Sequence, residues 1–140
     1  MNADAMKNLV RRLEQAMNAR ELDALDAIVA RDFVRHCEAT PGLEVNSLED
    51  FKGFLRAFDE AFPDNVQTFT HVAAEDDLIG VYATYEGTHL GPLNDIPATG
   101  QRVMFDFAGM YRVADGKLAE SWVTWDNMTV LGQLGLLPPS

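Results

Sequence analysis

Apolar residues recur at Met6, Leu9, Val10, Leu13 and Met17, the spacing of one helix face. Asn18 and Glu21 stand in capping-box order and predict a second helix, with Leu22, Leu25, Ile28 and Val29 on one face and His36 at its far end. Thr40-Pro41-Gly42 breaks the pattern. Ser47-Leu48-Glu49-Asp50 opens a third helix, because the serine caps and the acid three residues later reaches back. Its apolar face is Phe51, Phe54, Leu55, Phe58 and Phe62, and Pro63 helps to stop it.

The period then falls from 3.6 to 2. Val66 to Ala73 alternates, with Phe69 and His71 on one side and Thr68, Thr70 and Val72 on the other. Glu75-Asp76-Asp77 is a turn, and Leu78 to Thr88 is a strand rich in Val, Ile, Tyr and Thr. A long connection follows. Val103 to Val113 is a third strand, Ala114-Asp115-Gly116-Lys117 a hairpin turn, and Leu118 to Trp125 a fourth strand. Asn127 to Leu134 predicts a last short helix, and Leu137-Pro138-Pro139-Ser140 a tail. Helices first and an antiparallel meander second make one α+β domain over residues 1–140. The cavity between the two layers is a usual place for a small-molecule site.

Composition narrows the partners. The 140 residues carry a formal net charge of −11, which repels phosphate backbones and excludes nucleic acid as a partner. That field also disfavours strongly anionic substrates, although a local pocket can override it. No apolar run reaches the roughly 20 residues of a membrane span. The N-terminal MNADAMKNLVRRLEQ lacks a signal peptide's apolar stretch, so the expectation is a cytoplasmic protein without a membrane partner. Cys37 is the only cysteine, which rules out an internal disulfide and a thiolate cluster. The three histidines, at 36, 71 and 89, form no paired ligand motif, and no metal is expected.

Chemistry concentrates at the end of the last strand. Alternation puts Glu120, Trp122, Thr124 and Asp126 on one face and Ser121, Val123 and Trp125 on the other. Asp126 is either the N-cap of the helix that follows or a carboxylate pushed into an apolar pocket, where desolvation would raise its pKa and make it a usable base. His89 ends a strand and His36 a helix, each with a structural and a pocket reading. His71 reads as surface or interface. The phenylalanines of the third helix line either a core or a pocket.

In order along the chain stand Ala61-Phe62-Pro63-Asp64, Glu86-Gly87-Thr88-His89-Leu90-Gly91, Ala98-Thr99-Gly100, Tyr111-Arg112, Asp115-Gly116-Lys117-Leu118-Ala119-Glu120-Ser121-Trp122, Asp126 and Gln133-Leu134-Gly135. This series, from about Phe33 to Pro138, resembles the SnoaL-like polyketide cyclases, within the superfamily named for nuclear transport factor 2. The resemblance implies a cone: a strongly curved antiparallel sheet wrapped around the N-terminal helices. It implies an intramolecular aldol ring closure without metal or organic cofactor, with Asp126 as general acid and base and His89 and His36 in the pocket. Trp122, Phe54, Phe58, Phe62 and Phe107 would contact a small apolar molecule of polyketide or terpenoid type. Gly91 to Pro97 would cover the pocket mouth. Isomerisation, dehydration or epoxide opening would fit the same pocket, as would a non-catalytic binding or dimerisation module. A homodimer through the outer sheet face is expected, since strand residues such as Val81, Tyr82, Ala83 and Tyr85 are apolar on both faces.

Overall fold

The computed structural model describes residues 1–137; Pro138, Pro139 and Ser140 of the expected tail lie outside them. Helix α1 (Ala3–Ala19) begins at an Asn2 cap and buries Met6, Leu9, Val10, Leu13 and Met17. It ends at Arg20, whose φ of 60° reverses the chain. Strand β1 (Val29–His36) comes next, after a short 3-10 helix (Leu22–Ala27). Helix α2 (Leu48–Ala61) is capped by Ser47, whose side chain accepts from the amide of Asp50. Strands β2 (Val66–Glu75), β3 (Leu78–Thr88), β4 (Arg102–Ala114) and β5 (Lys117–Trp125) follow, then helix α3 (Asn127–Gln133).

The five strands form one sheet in the order β1-β5-β4-β3-β2. Three pairings are antiparallel, and β1 lies parallel to β5. The α+β expectation holds: the strongly curved sheet wraps its concave face around α1 and α2. The second helix does not. Asn18 caps nothing; its amide pairs with both the N–H and the C=O of Gln67 and fixes β2 to the end of α1. Glu21 makes no cap bond either. Helical spacing at Leu22, Leu25, Ile28 and Val29 is satisfied by one 3-10 turn and the start of a strand, because the free edge of β5 takes up the backbone from Val29 onward.

The inner face of the sheet is set by register. Trp125, Phe107, Ala83 and Phe69 form one cross-strand row, and Arg35, Ser121, Tyr111 and Ile79 another. The outer face carries the row His36, Trp122, Met110 and Gly80. Phe33, at 1% exposure, packs its ring 5.0 Å from Phe51 and ties β1 to α2. Burying a side chain of that size contributes about 1.5–3 kcal/mol. Among the described residues no helix is long and apolar enough to cross a membrane.

The connection after β3 seals the core. Leu90 and Gly91 donate their amides to the carbonyl of Ala61, the last residue of α2. A Cβ on Gly91 would stand 2.1 Å from the Glu60 oxygen, so only glycine permits that approach. Leu93 packs on the core. The expectation that this segment covers the pocket mouth is therefore corrected: it closes the C-terminal end of α2.

Candidate active site

The α2 aromatics and the ends of β4 and β5 leave a narrow cavity of about 70 Å³ between them. Phe54 and Phe58 face it from α2, Tyr85 from β3, Phe105, Phe107 and Tyr111 from β4, and Trp125 from β5. Ring centroids lie 4.8 Å apart for Phe54 and Phe58, 6.3 Å for Phe58 and Tyr85, and 6.2 Å for Phe105 and Trp125. Such distances belong to offset and edge-on aromatic packing. Phe54, Phe58, Phe105 and Trp125 are only partly buried and form the mouth. Gly109, in mid-β4, points inward and leaves room for the Tyr111 ring, 3.4 Å from where its Cβ would be.

Two polar ends interrupt this apolar lining. At one, the Arg35 guanidinium lies 4.1 Å above the Phe54 ring and 5.8 Å from that of Trp125. Among the described residues it makes no ion pair with a carboxylate. Burial lowers its pKa, opposed by the Cys37 sulfur and the Tyr111 oxygen. A guanidinium still stays charged at neutral pH. Tyr111 is pushed up to about 12 by burial, with Arg35 pulling the other way. Ser121, between the two in register but behind the cavity wall, keeps a buried hydroxyl without a partner among the described residues.

At the other end stands Asp59. Its Oδ1 accepts from Asn65 Nδ2 at 2.9 Å and lies 3.5 Å from Arg20 Nε; Oδ2 has no such contact among the described residues. The Tyr85 hydroxyl, on the same cavity, is buried without a partner among the described residues. Burial raises its pKa strongly, and the Asp59 charge adds to that. Tyr85 thus keeps a protonated hydroxyl in the cavity that Asp59 also lines. Asn65 and Gln67 complete this end.

Of the expected pocket residues, Phe54, Phe58 and Phe107 line the cavity, and Phe62 sits behind it, 5.8 Å from the Tyr85 ring. Trp122, Asp126 and His36 do not, and their interior placement is corrected. The polar set of β5 faces outward. Asp126 is exposed and caps α3, accepting from the Met128 amide and the Thr129 hydroxyl, both at 2.9 Å. Those bonds, the Thr129 one first, hold its pKa below the ordinary carboxylate value, opposite to a desolvated base. His36 ends β1 on the outer face, 2.7 Å from Glu120 and stacked on Trp122 at 5.5 Å.

His89 is fully buried but belongs to the core. Its Nδ1 accepts from the Thr99 amide at 3.2 Å, so the neutral ring carries its hydrogen on Nε2, which has no partner. Its ring packs 5.3 Å from Phe62, and it is not part of the cavity wall. His71 is exposed, as expected. Arg35, Asp59, Tyr85, Tyr111 and Trp125 were not anticipated. One signal was present: Asp59 stands four residues after Leu55 and three before Phe62, on the apolar stripe of α2. Among the described residues no group of three His, Cys, Asp or Glu could hold a metal.

A curved α+β cone with an aromatic cavity between sheet and helices defines a protein of the nuclear transport factor 2-like fold class. The family model described as SnoaL-like polyketide cyclase matches residues 7–134, and the chain belongs to that family. AclR from Streptomyces galilaeus, a candidate hydroxylase, is 29% identical with a TM-score of 0.81, over 95% of this chain and 97% of that one. IdmH from Streptomyces antibioticus, a candidate polyketide cyclase, is 28% identical with a TM-score of 0.80, over 93% and 98%. TsrD from Streptomyces laurentii, 23% identical over 98% and 99%, shares the fold with a TM-score of 0.87. No curated protein matches the chain in sequence.

Proposed function

We propose that this protein is a cofactor-independent acid–base enzyme acting on a small, planar, mostly apolar molecule, with Asp59 as the base. The observation that carries the reading is a carboxylate with one uncommitted oxygen and an unpartnered tyrosine hydroxyl lining the same aromatic cavity. Asp59 Oδ2 takes a proton from a carbon next to a carbonyl. The C–H electron pair moves into the carbonyl, and the Tyr85 hydroxyl hydrogen-bonds the enolate oxygen. In a ring closure the enolate carbon attacks a second carbonyl of the same molecule. The new alkoxide then recovers the proton from Asp59. Isomerisation and dehydration share the first step.

The cavity is smaller than the roughly 300–1,000 Å³ that engulfs a drug-sized ligand. A substrate therefore enters edge-on between Phe58 and Trp125, and the half-buried rings of Phe54 and Phe58 yield to it. Thermal shift against a panel of aromatic polyketides and terpenoids tests binding, since a ligand of the folded state alone raises Tm. Turnover of a hit by the native protein and by Asp59→Asn tests the chemistry. A second reading is a binding protein without turnover, favoured by the ties of Asp59 to Arg20 and Asn65. A ligand that binds and emerges unchanged would establish it.

We also propose a homodimer through the outer sheet face, where Tyr82, Met104, Met110 and Trp122 expose apolar surface. Sedimentation showing only a 15.5 kDa species at micromolar concentration would exclude it.

A further inference from the structure

We propose that the substrate carries a carboxylate on its planar ring system and that Arg35 is the residue that docks it. The proposal rests on the cavity being the active site and goes beyond it by naming the charged group. Arg35 departs from β1 on the inner face, in register with Ser121 and, one strand further, Tyr111. Its guanidinium is held between the Phe54 and Trp125 rings. Half of the ten other Lys and Arg are matched: Arg11 meets Glu14, Arg20 meets Asp59, Lys52 meets Asp26 at 2.6 Å, Arg102 meets Glu86 and Arg112 meets Glu120. Arg35 meets no carboxylate among the described residues of a chain with 22 Asp and Glu against 11 Lys and Arg.

A partly desolvated cation without a counter-charge is costly to keep. Aromatic faces offset part of that cost and hold the guanidinium flat, and apart from its contact with the Cys37 sulfur its N–H fork can meet a planar, bidentate acceptor. Tyr111 adds a hydroxyl that stays protonated at neutral pH. The acceptor that suits these donors is a carboxylate. Phe54, beneath the guanidinium, and Asp59 are five residues apart on α2, about 7.5 Å along the axis. The docked acid and the carbon that loses its proton are then separated by about the length of a fused ring pair. Against a net charge of −11, one local cation also discriminates: it admits a single anionic group and gives no second site for another.

The probes are 2-naphthoate and its uncharged isostere 2-naphthamide, measured by calorimetry on the native protein, Arg35→Met and Arg35→Lys. Native protein should bind the acid about 10-fold or more tighter than the amide, the range of a charge-assisted hydrogen bond. Arg35→Met should abolish that preference while amide binding changes about 3-fold or less, and Arg35→Lys should restore part of it. Equal binding of acid and amide by native protein, with both lost in Phe58→Ala, would overturn the carboxylate and leave the cavity reading intact. A preference that survives in Arg35→Met would assign it to another group and overturn the role of Arg35. Failure of both probes to bind at millimolar concentration would overturn the carboxylate together with the cavity reading.

Discussion

Ser121, Val123 and Trp125 alternate along β5 with Glu120, Trp122 and Thr124, and the two sets do opposite things. On the outer face the principal polar groups are satisfied by the protein. Glu120 is bonded by His36 at 2.7 Å and Arg112 at 3.1 Å, and Asp126 by Met128 and Thr129. On the inner face, among the described residues, Ser121 and Tyr85 hold buried hydroxyls without partners, and Arg35 makes no ion pair with a carboxylate. A group whose bonding is complete supports the fold. A group left incomplete around a cavity is available to a ligand, since proteins rarely leave buried polar atoms unpaired.

The largest test of this contrast exchanges one carboxylate on each face. Asp59→Asn keeps the shape and the amide-compatible contacts but removes the base. Turnover of an identified substrate should fall by about 10² to 10⁴, the usual range for general acid–base catalysis. Asp126→Asn should leave turnover within about 2-fold, because asparagine also caps helices. The reverse ranking would return the chemistry to the outer face.

Stability should divide the same way. Phe33→Ala removes a fully buried ring between β1 and α2 and should cost about 3–5 kcal/mol in urea unfolding. Trp122→Ala, 42% exposed and stacked on His36, should cost about 1 kcal/mol or less. Equal losses would mean that the outer face is covered in solution. Glycines give a smaller version. Gly91→Ala drives a Cβ into the Glu60 carbonyl and should cost about 1–3 kcal/mol, as overpacking does. Gly109→Ala meets only ordinary contacts, 3.4 and 3.5 Å from Tyr111 and Val123. Its stability should stay within about 0.5 kcal/mol, while its tightened cavity should weaken ligand binding.

Much of the architecture was legible because its signals are local. Period, caps and the Asp115-Gly116 turn located α1, α2 and the four later strands within a few residues. Strand β1 was hidden because Leu22 to Val29 fits a helix face, and only pairing with β5, some ninety residues away, makes it a strand. The site was hidden for a different reason. Alternation separates the two faces of β5 but does not say which is inside, and each face carries a tryptophan. The composition of the faces held the answer: Glu120, Thr124 and Asp126 give one three polar residues of four, a solvated pattern. Resemblance to cyclases turned the choice toward Asp126, whose bonds are those of a cap. Arg35 gave no sequence signal, since an arginine in a strand ordinarily faces water.

The smallest effect is electrostatic, and it separates the faces by pH. Glu120 and Asp126 are held below their ordinary values, Glu120 first by His36 and then by Arg112, and Asp126 first by Thr129 and then by Met128. A lowered folded pKa contributes stability above the ordinary carboxylate range, lost as pH falls through the folded value, below about 4. Asp126 is exposed and Glu120 half-buried at the surface, so solvent screening keeps the effect small. The inner face works at the other limit. Tyr111 is raised to about 12, so its contribution is complete below the ordinary tyrosine value of about 10 and is lost as pH rises from there toward 12. Glu120→Gln should flatten the acid side of a Tm profile and leave the alkaline side alone. Tyrosinate absorbance isolates the other limb, because Tyr82, Tyr85 and Tyr111 are the three tyrosines and all are raised. Folded protein should show less tyrosinate at about pH 10 than the unfolded chain, and Tyr111→Phe should remove the step near 12. Arg35→Met should push that step higher, because the guanidinium is what lowers it. A Tyr111 step unmoved by that substitution would separate the two side chains and weaken the case for a shared docking site.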